Sequence, residues 1–269
     1  MKPYVLINKE VGETPLQSAE KLRQQYSLSD NVPLAYAGRL DPMASGQLLV
    51  LIGNECKRQS NYHSLDKEYK FSVLFGIKSD TGDVLGLVET TPVLPVTKHQ
   101  LNTVAKNLIG EVELPYPHFS SKTVQGKPLH VWTLEGRINE IEIPTKLSSI
   151  YKLHCENIET IYTADLLKNV RAKIETIPPV TDPRKALGND FRRPDVREAW
   201  TQIENTTTET SYTIAHFTCI ASSGTYMRTL AEVIGRECGQ GGLAYSIHRT
   251  IIGKYQPLPL VGGIWKKRF

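Results

Sequence analysis

With 269 residues, 40% of them hydrophobic and 22% charged, the chain has the make-up of a folded globular protein, long enough to bury a core as one large domain or two small ones. The net charge of +4 permits an acidic partner such as RNA without demanding one, since clustering of charge matters more than its sum. No apolar run approaches the length of a membrane span, the N-terminal MKPYVLINKEVGETP lacks an apolar signal core, and Cys56, Cys155, Cys219 and Cys238 form no Cys-x-x-Cys pair. The expectation is a cytoplasmic protein without membrane contact, disulfide framework or zinc site.

In chain order, Tyr4-Val5-Leu6-Ile7 reads as a short strand. Thr14-Pro15-Leu16-Gln17 then has the form of a helix start, with threonine as N-cap, proline in the first turn and glutamine able to close a capping box. Leu16, Ala19, Leu22 and Tyr26 continue it at helical spacing, and residues 48–52, all apolar, make a buried strand. From Lys67 to Ile77 the pattern alternates, with Tyr69, Phe71, Val73, Phe75 and Ile77 on one face and Lys70 and Ser72 on the other. A second capping box at Thr97 precedes the stripe Leu101, Val104, Ala105, Leu108, and residues 148–155 form another strand.

Residues 157–209 differ in character. They hold a helical pattern (Leu166, Leu167, Val170, Ile174), a Pro/Asp/Arg-rich stretch and a polar run, and read as an insertion covering a face rather than a separate domain. Residues 212–221 resume as a strand, and residues 224–238 form a helix with Met227, Leu230, Ala231 and Ile234 inward. Strands mixed with helices, without regular βαβ alternation, indicate an α+β fold around a mixed sheet.

One acid stands out. In "GRLDPMASG", Asp41 precedes Pro42, which keeps its backbone extended and outside any helix, so the carboxylate is either an Asp-Pro turn residue or a group presented for chemistry beside a rigid strand. Arg228, in "SSGTYMRTLAEVIG", has two readings: a surface pair with Glu232 one turn on, or a cation facing Asp41. Tyr69 lies on an apolar face, where packing is the default and stacking on an everted base the functional alternative. Lys122, Lys127, His130 and Arg137, interleaved with Phe119 and Trp132, are either a solvated face or a surface for phosphates and bases.

Several stretches in a fixed order resemble the TruB-type tRNA pseudouridine synthases: "LINKEVGETP", "GRLDPMASGQLLVLIG", "KEYKFSVLFGIKSDTGDVLG", "YPHFSSKTVQGKPL", "SSGTYMRTLAEVIG" and "SIHRTIIGKY". They run from residue 5 to residue 255 and leave out only 157–209. The resemblance implies the pseudouridine synthase fold, α+β with a central mixed, mostly antiparallel sheet flanked by helices and loops. It implies an enzyme isomerising uridine to pseudouridine at position 55 in the T-loop of tRNA. Asp41 becomes the nucleophile, Arg228 its holder and Tyr69 the ring that stacks on the base and helps remove the C5 proton. Lys9, Tyr36, Arg39, Lys122, Lys127, Tyr226 and Ile247 fall on positions that bind RNA or the target nucleotide. The net reaction is an isomerisation, so no redox cofactor and no metal is expected; the partner is the T-arm of tRNA and the enzyme a monomer.

The sequence departs from the family pattern in places. Tyr36 stands where a histidine is usual, Arg39 is more like the RluA and RsuA branches, and the clamp segment carries Tyr116-Pro117 with Lys122 beside Thr123. Bacterial relatives continue into a PUA-type RNA-binding domain, whereas fourteen residues follow Tyr255 here. The expectation is therefore one catalytic domain over residues 1–269, with the inserted segment at 157–209 and no PUA domain. Arg184, Lys185, Arg192, Arg193 and Arg197 in that insertion suggest that it takes over part of the RNA contact. Competing readings are a synthase acting on another RNA uridine, a non-catalytic RNA-binding or RNA-folding protein, and an aspartate-nucleophile hydrolase.

Overall fold

The computed structural model describes residues 2–179, 192–258 and 262–269. In chain order the elements are β1 (Tyr4–Lys9), α1 (Pro15–Gln25), β2 (Leu34–Ala37), β3 (Ala44–Ile52), a 3-10 stretch (Gly53–Tyr62), β4 (Asp66–Phe75), β5 (Ile77–Ser79), β6 (Val88–Thr90), α2 (Lys98–Asn107) and β7 (Gly110–Pro115). There follow β8 (Thr123–Val124), β9 (Lys127–Pro128), α3 (Leu129–Leu134), β10 (Thr145–Tyr162), α4 (Thr163–Thr176), α5 (Arg193–Thr206), β11 (Ser211–Ala221), α6 (Met227–Glu237), β12 (Gly242–Leu258) and β13 (Gly262–Arg268).

The main sheet runs β1-β3-β12-β4-β11-β10-β7, with β2 added on β3 and β13 on β12. All pairings are antiparallel except β3 with β12. This is the mixed, mostly antiparallel α+β architecture expected. The parallel pair is very close: a Cβ on Gly46, which has φ +103°, would lie 2.2 Å from the Arg249 carbonyl oxygen. Only glycine fits there, and it sets β12 directly beside the start of β3.

The apolar run in β3 is explained by burial on both faces. Leu48, Val50 and Ile52 pack under α1 with Ala19 and Leu22, while Leu49 and Leu51 pack with Leu65 and Ile252 on the opposite side. Helix α1 begins with both bonds of the expected capping box, Thr14 Oγ1 accepting from Gln17 N–H and Gln17 Oε1 accepting from Thr14 N–H. Strand β4 ends at Phe75, short of the expected Ile77, because Gly76 adopts φ +83° and turns the chain. Its second face is covered as well: Ser72 is buried and its hydroxyl meets His216 Nδ1 at 2.9 Å and Ser246 Oγ at 2.8 Å.

The inserted segment begins later than its composition suggests. Strands β10 and β11 stay paired out to Tyr162 and Ser211, so residues 157–162 belong to the sheet. This end of the pair is largely exposed, which removes the two-residue hydrophobic alternation that would reveal a strand. Helices α4 and α5 then pack onto the main core through Leu166, Leu167, Val170, Ile174, Val196, Trp200 and Ile203. Trp200, wholly buried, donates its indole N–H to the Val84 carbonyl at 3.0 Å and so ties α5 to the turn after β5.

Replacing Trp200 by Phe keeps most of the apolar burial but leaves that carbonyl without its donor, and is expected to cost about 1–3 kcal/mol. Trp200→Ala should cost about 3–5 kcal/mol. Urea unfolding of the two variants checks this; equal stability of Trp200→Phe and the parent would show that the indole bond contributes nothing.

Candidate active site

Asp41 sits in the loop between β2 and β3, where its carbonyl accepts the Ala44 N–H at 3.0 Å and the Pro42 carbonyl accepts the Gly12 N–H at 2.8 Å. The loop is gripped from β12. Arg249, 1% exposed, donates to the carbonyls of Gln47 (2.7 Å), Gly38 (3.0 Å) and Arg39 (3.3 Å). From behind, the buried Lys9 ammonium donates to the Ala44 carbonyl at 2.6 Å and to that of Glu10 at 2.8 Å; burial brings its pKa down to about 8.

Arg228 enters from the first turn of α6. Its Nε donates to Asp41 Oδ2 at 2.8 Å, Nη1 to the Thr81 carbonyl at 2.7 Å and Nη2 to the Phe119 carbonyl at 3.3 Å. Asp83 Oδ2 lies 3.8 Å from Nε. Of the two partners weighed from sequence, the ion pair is with Asp41. The Arg228 side chain is 5% exposed and that of Asp41 39%, so the cation is fixed in the wall while the carboxylate looks into open space. Burial raises the Asp83 pKa to about 6, assisted by repulsion from Asp41 and opposed by Arg228.

Sheet register supplies the remaining wall. Tyr69 on β4 is level with Arg249 on β12, and Ile247 is level with Phe71 on one side and Ala44 on the other. Ile247 thus stands one strand, and Tyr69 two strands, from β3, which leads out of the Asp41 loop. Burial raises the Tyr69 phenol pKa, and the Arg249 guanidinium beside it works the other way by favouring the phenolate.

These groups enclose a cavity of about 490 Å³, a size suited to a nucleotide-sized ligand. Asp41, Tyr69, Arg228, Arg39, Tyr226 and Ile247 all line it. Lys9, Tyr36, Lys122 and Lys127 do not. Tyr36 packs with the α1 core and its carbonyl accepts from Gln59 Nε2 at 2.8 Å, while Lys122 is exposed beside the Tyr116 ring. The basic stretch is largely neutralised from within: Lys127 pairs with Glu135 (2.6 Å), Arg137 with Glu140 (2.7 Å), and both cations lie over the Trp132 ring. The insertion also reaches the cavity, through Ile174, Ile177, Arg192, Arg193 and Val196. Of the five basic residues of the insertion expected to contact RNA, Arg184 and Lys185 lie outside the described residues. Arg192 pairs with Asp80 at 2.6 Å, Arg193 donates to the Ile177 carbonyl at 2.5 Å, and Arg197 pairs with Glu175 at 2.7 Å.

Sequence reasoning missed Asp83, Arg249 and Lys67. A signal existed for each: Asp83 closes the Asp80-Thr81-Gly82-Asp83 turn, Arg249 is two residues past Ile247 on one strand, and Lys67 is two before Tyr69. Among the described residues no group of three or more His, Cys, Asp or Glu could hold a metal ion, and no helix is long and apolar enough to cross a membrane.

Comparisons with known proteins agree with this arrangement. The chain is 31% identical over 212 residues to tRNA pseudouridine synthase B of Caldicellulosiruptor saccharolyticus, an alignment covering 74% of this chain and 71% of the relative. It is 28% identical to tRNA pseudouridine synthase 4 of Saccharomyces cerevisiae, over 81% of this chain and 59% of that protein. The alignment with tRNA pseudouridine synthase B of Borreliella afzelii, at 32% identity, spans about half of each protein. A crystal structure of a Cbf5-Nop10-Gar1 complex contains a chain alike in fold, with a TM-score of 0.52, 16% identity, and coverage of 93% of this chain and 48% of that one. The family description "TruB family pseudouridylate synthase (N terminal domain)" matches residues 31–176, more than half the chain, and the protein belongs to that family.

Proposed function

We propose that this protein converts uridine to pseudouridine in the T-loop of tRNA, at position 55, using Asp41 as nucleophile. The observation that carries the reading is the ion pair of Asp41 with Arg228 at the wall of a cavity also lined by Tyr69 and Ile247. The reaction breaks the C1′–N1 bond, turns the base and forms a C1′–C5 bond, with loss of the C5 proton. Arg228 holds one oxygen of the carboxylate and leaves the group directed at the cavity. Tyr69 stacks on the everted base and takes part in removing the C5 proton, with Arg249 offsetting part of the burial that raises the phenol pKa. Ile247 packs on the base, and Arg39 and Tyr226 hold the flanking RNA. Four free cysteines fit a reducing cytoplasm.

Asp41→Asn preserves shape and removes the nucleophile. Turnover of tRNA, read by tritium release from C5-labelled uridine, should fall by about 10⁴-fold or more with RNA affinity nearly unchanged. Full activity of this variant would refute the assignment.

Asp83, the second counter-ion of Arg228, has its own pH signature. Its folded pKa, about 6, lies above its ordinary value of 3.8, so its contribution to stability is complete below pH 3.8 and is lost as pH rises through 6. Asp83→Asn removes this dependence. The unfolding free energy of the variant minus that of the parent should therefore climb between pH 4.5 and 7.5, by about 2 kcal/mol. Urea unfolding at the two pH values tests it, and a constant difference would show that Asp83 does not titrate in this window.

A further inference from the structure

The cavity wall beside Tyr69 contains positive charge that no carboxylate neutralises directly. Lys67 lies on β4 two residues before Tyr69, is 4% exposed, and lines the cavity. Its ammonium donates to the Leu65 carbonyl and, at 2.9 Å, to Ser223 Oγ, both uncharged acceptors. The charged groups facing it are Arg249 and Lys146, which repel it, and Asp66, which attracts it. Asp66 is engaged elsewhere, accepting the Tyr151 hydroxyl at 3.2 Å and the Tyr255 N–H at 2.8 Å. Arg249 donates to three backbone carbonyls and to the Tyr69 hydroxyl, and Asp41 attracts it without a direct ion pair. The Ser223 carbonyl in turn accepts from the half-buried Lys146, so two cations, Lys67 and Lys146, meet at the turn before α6, with Arg249 on the other side of Lys67.

Gly38 lies against both cations: a Cβ there would meet Lys67 Cε at 3.5 Å and Arg249 Nη1 at 3.6 Å, in ordinary contact. Buried cations without a counter-ion are costly, and a bound anion relieves that cost. On the other side of the cavity Arg228 already has Asp41 and Asp83, so an incoming anion is directed to the Lys67 side.

We propose that Lys67, with Ser223 and Lys146, forms a subsite for the backbone phosphodiester adjacent to the target nucleotide, placing the sugar so that the base reaches Tyr69 and Asp41. This rests on the synthase reading above. It differs from the expected clamp at residues 122–137, where Lys127 and Arg137 are paired with Glu135 and Glu140.

The free protein supports a proton-linked form of this contact. Desolvation, followed by Arg249, brings the Lys67 pKa from 10.5 to about 7, with Asp66 opposing and Lys146 adding to the shift. A phosphate favours the ammonium, so binding takes up a proton above pH 7 and weakens as pH rises.

The test uses the full chain and a fluorescent T-arm stem-loop whose linkages on either side of the target uridine are phosphodiester or uncharged methylphosphonate. By anisotropy at pH 6.5, one methylphosphonate should weaken binding about tenfold, and this penalty should shrink at pH 8.5 as Lys67 loses its proton. Arginine contacts would give a penalty independent of pH. Lys67→Met should bind the native RNA about tenfold more weakly at pH 6.5 and be indifferent to the substitution. The RNA substitution on the parent protein needs no folded variant. No methylphosphonate penalty, or the same penalty at both pH values, would overturn the subsite. Pseudouridine formation by the parent protein is measured in the same RNA; its absence would overturn the synthase reading, while the affinities still decide the subsite.

Discussion

The arrangement depends on one buried guanidinium. Removing a cation from water costs several kcal/mol unless its hydrogen bonds and charge are met, and Arg228 is met from three separate segments. Asp41 comes from the loop before β3, the Thr81 carbonyl and Asp83 from the turn after β5, the Phe119 carbonyl from the segment after β7, and Arg228 from α6. Each segment is anchored to the sheet or its helices, so the order of the strands becomes a set of distances at one point. Asp41 is useful in that place because its partner is immobile.

The cavity is electrically uneven. One side holds Arg228 with two carboxylates; the other holds Lys67 and Arg249 with neutral acceptors only. A ligand with an apolar, stackable base and an anionic backbone complements such a wall, base toward Tyr69 and Ile247, phosphate toward the cations. Helices α4 and α5 complete the enclosure. They are joined to the core by Trp200 and its neighbours, and Arg192, Arg193 and Arg197 turn toward Asp80, Ile177 and Glu175. The insertion thus shapes the cavity from within the protein's own packing.

Much of the secondary structure was legible because it is decided locally. The Thr14 cap, the stripe of α6 and the apolar run of β3 are short-range patterns, and each gave the right element. Gly76 ended β4 early through its positive φ, a detail hidden inside an alternating pattern. Residues 157–162 escaped because only Ile158 and Ile161 there pack against the core, and a spacing of three is no strand period. The basic stretch stayed open between a solvated face and a phosphate surface, because composition cannot see that Glu135 and Glu140 fold back onto it.

The sequence by itself determined the α+β class, the main helices and strands, and, through ordered motifs, membership of the pseudouridylate synthase family. Whether Arg228 pairs with Glu232 or with Asp41, 187 residues away, was left to the tertiary structure, as was the gathering of Lys67, Lys146 and Arg249. The reason is physical: periodicity records which face of an element avoids water, and a buried ion pair between elements leaves no period in either one. Only the register of β3, β12 and β4 and the docking of α6 bring those charges within reach of each other.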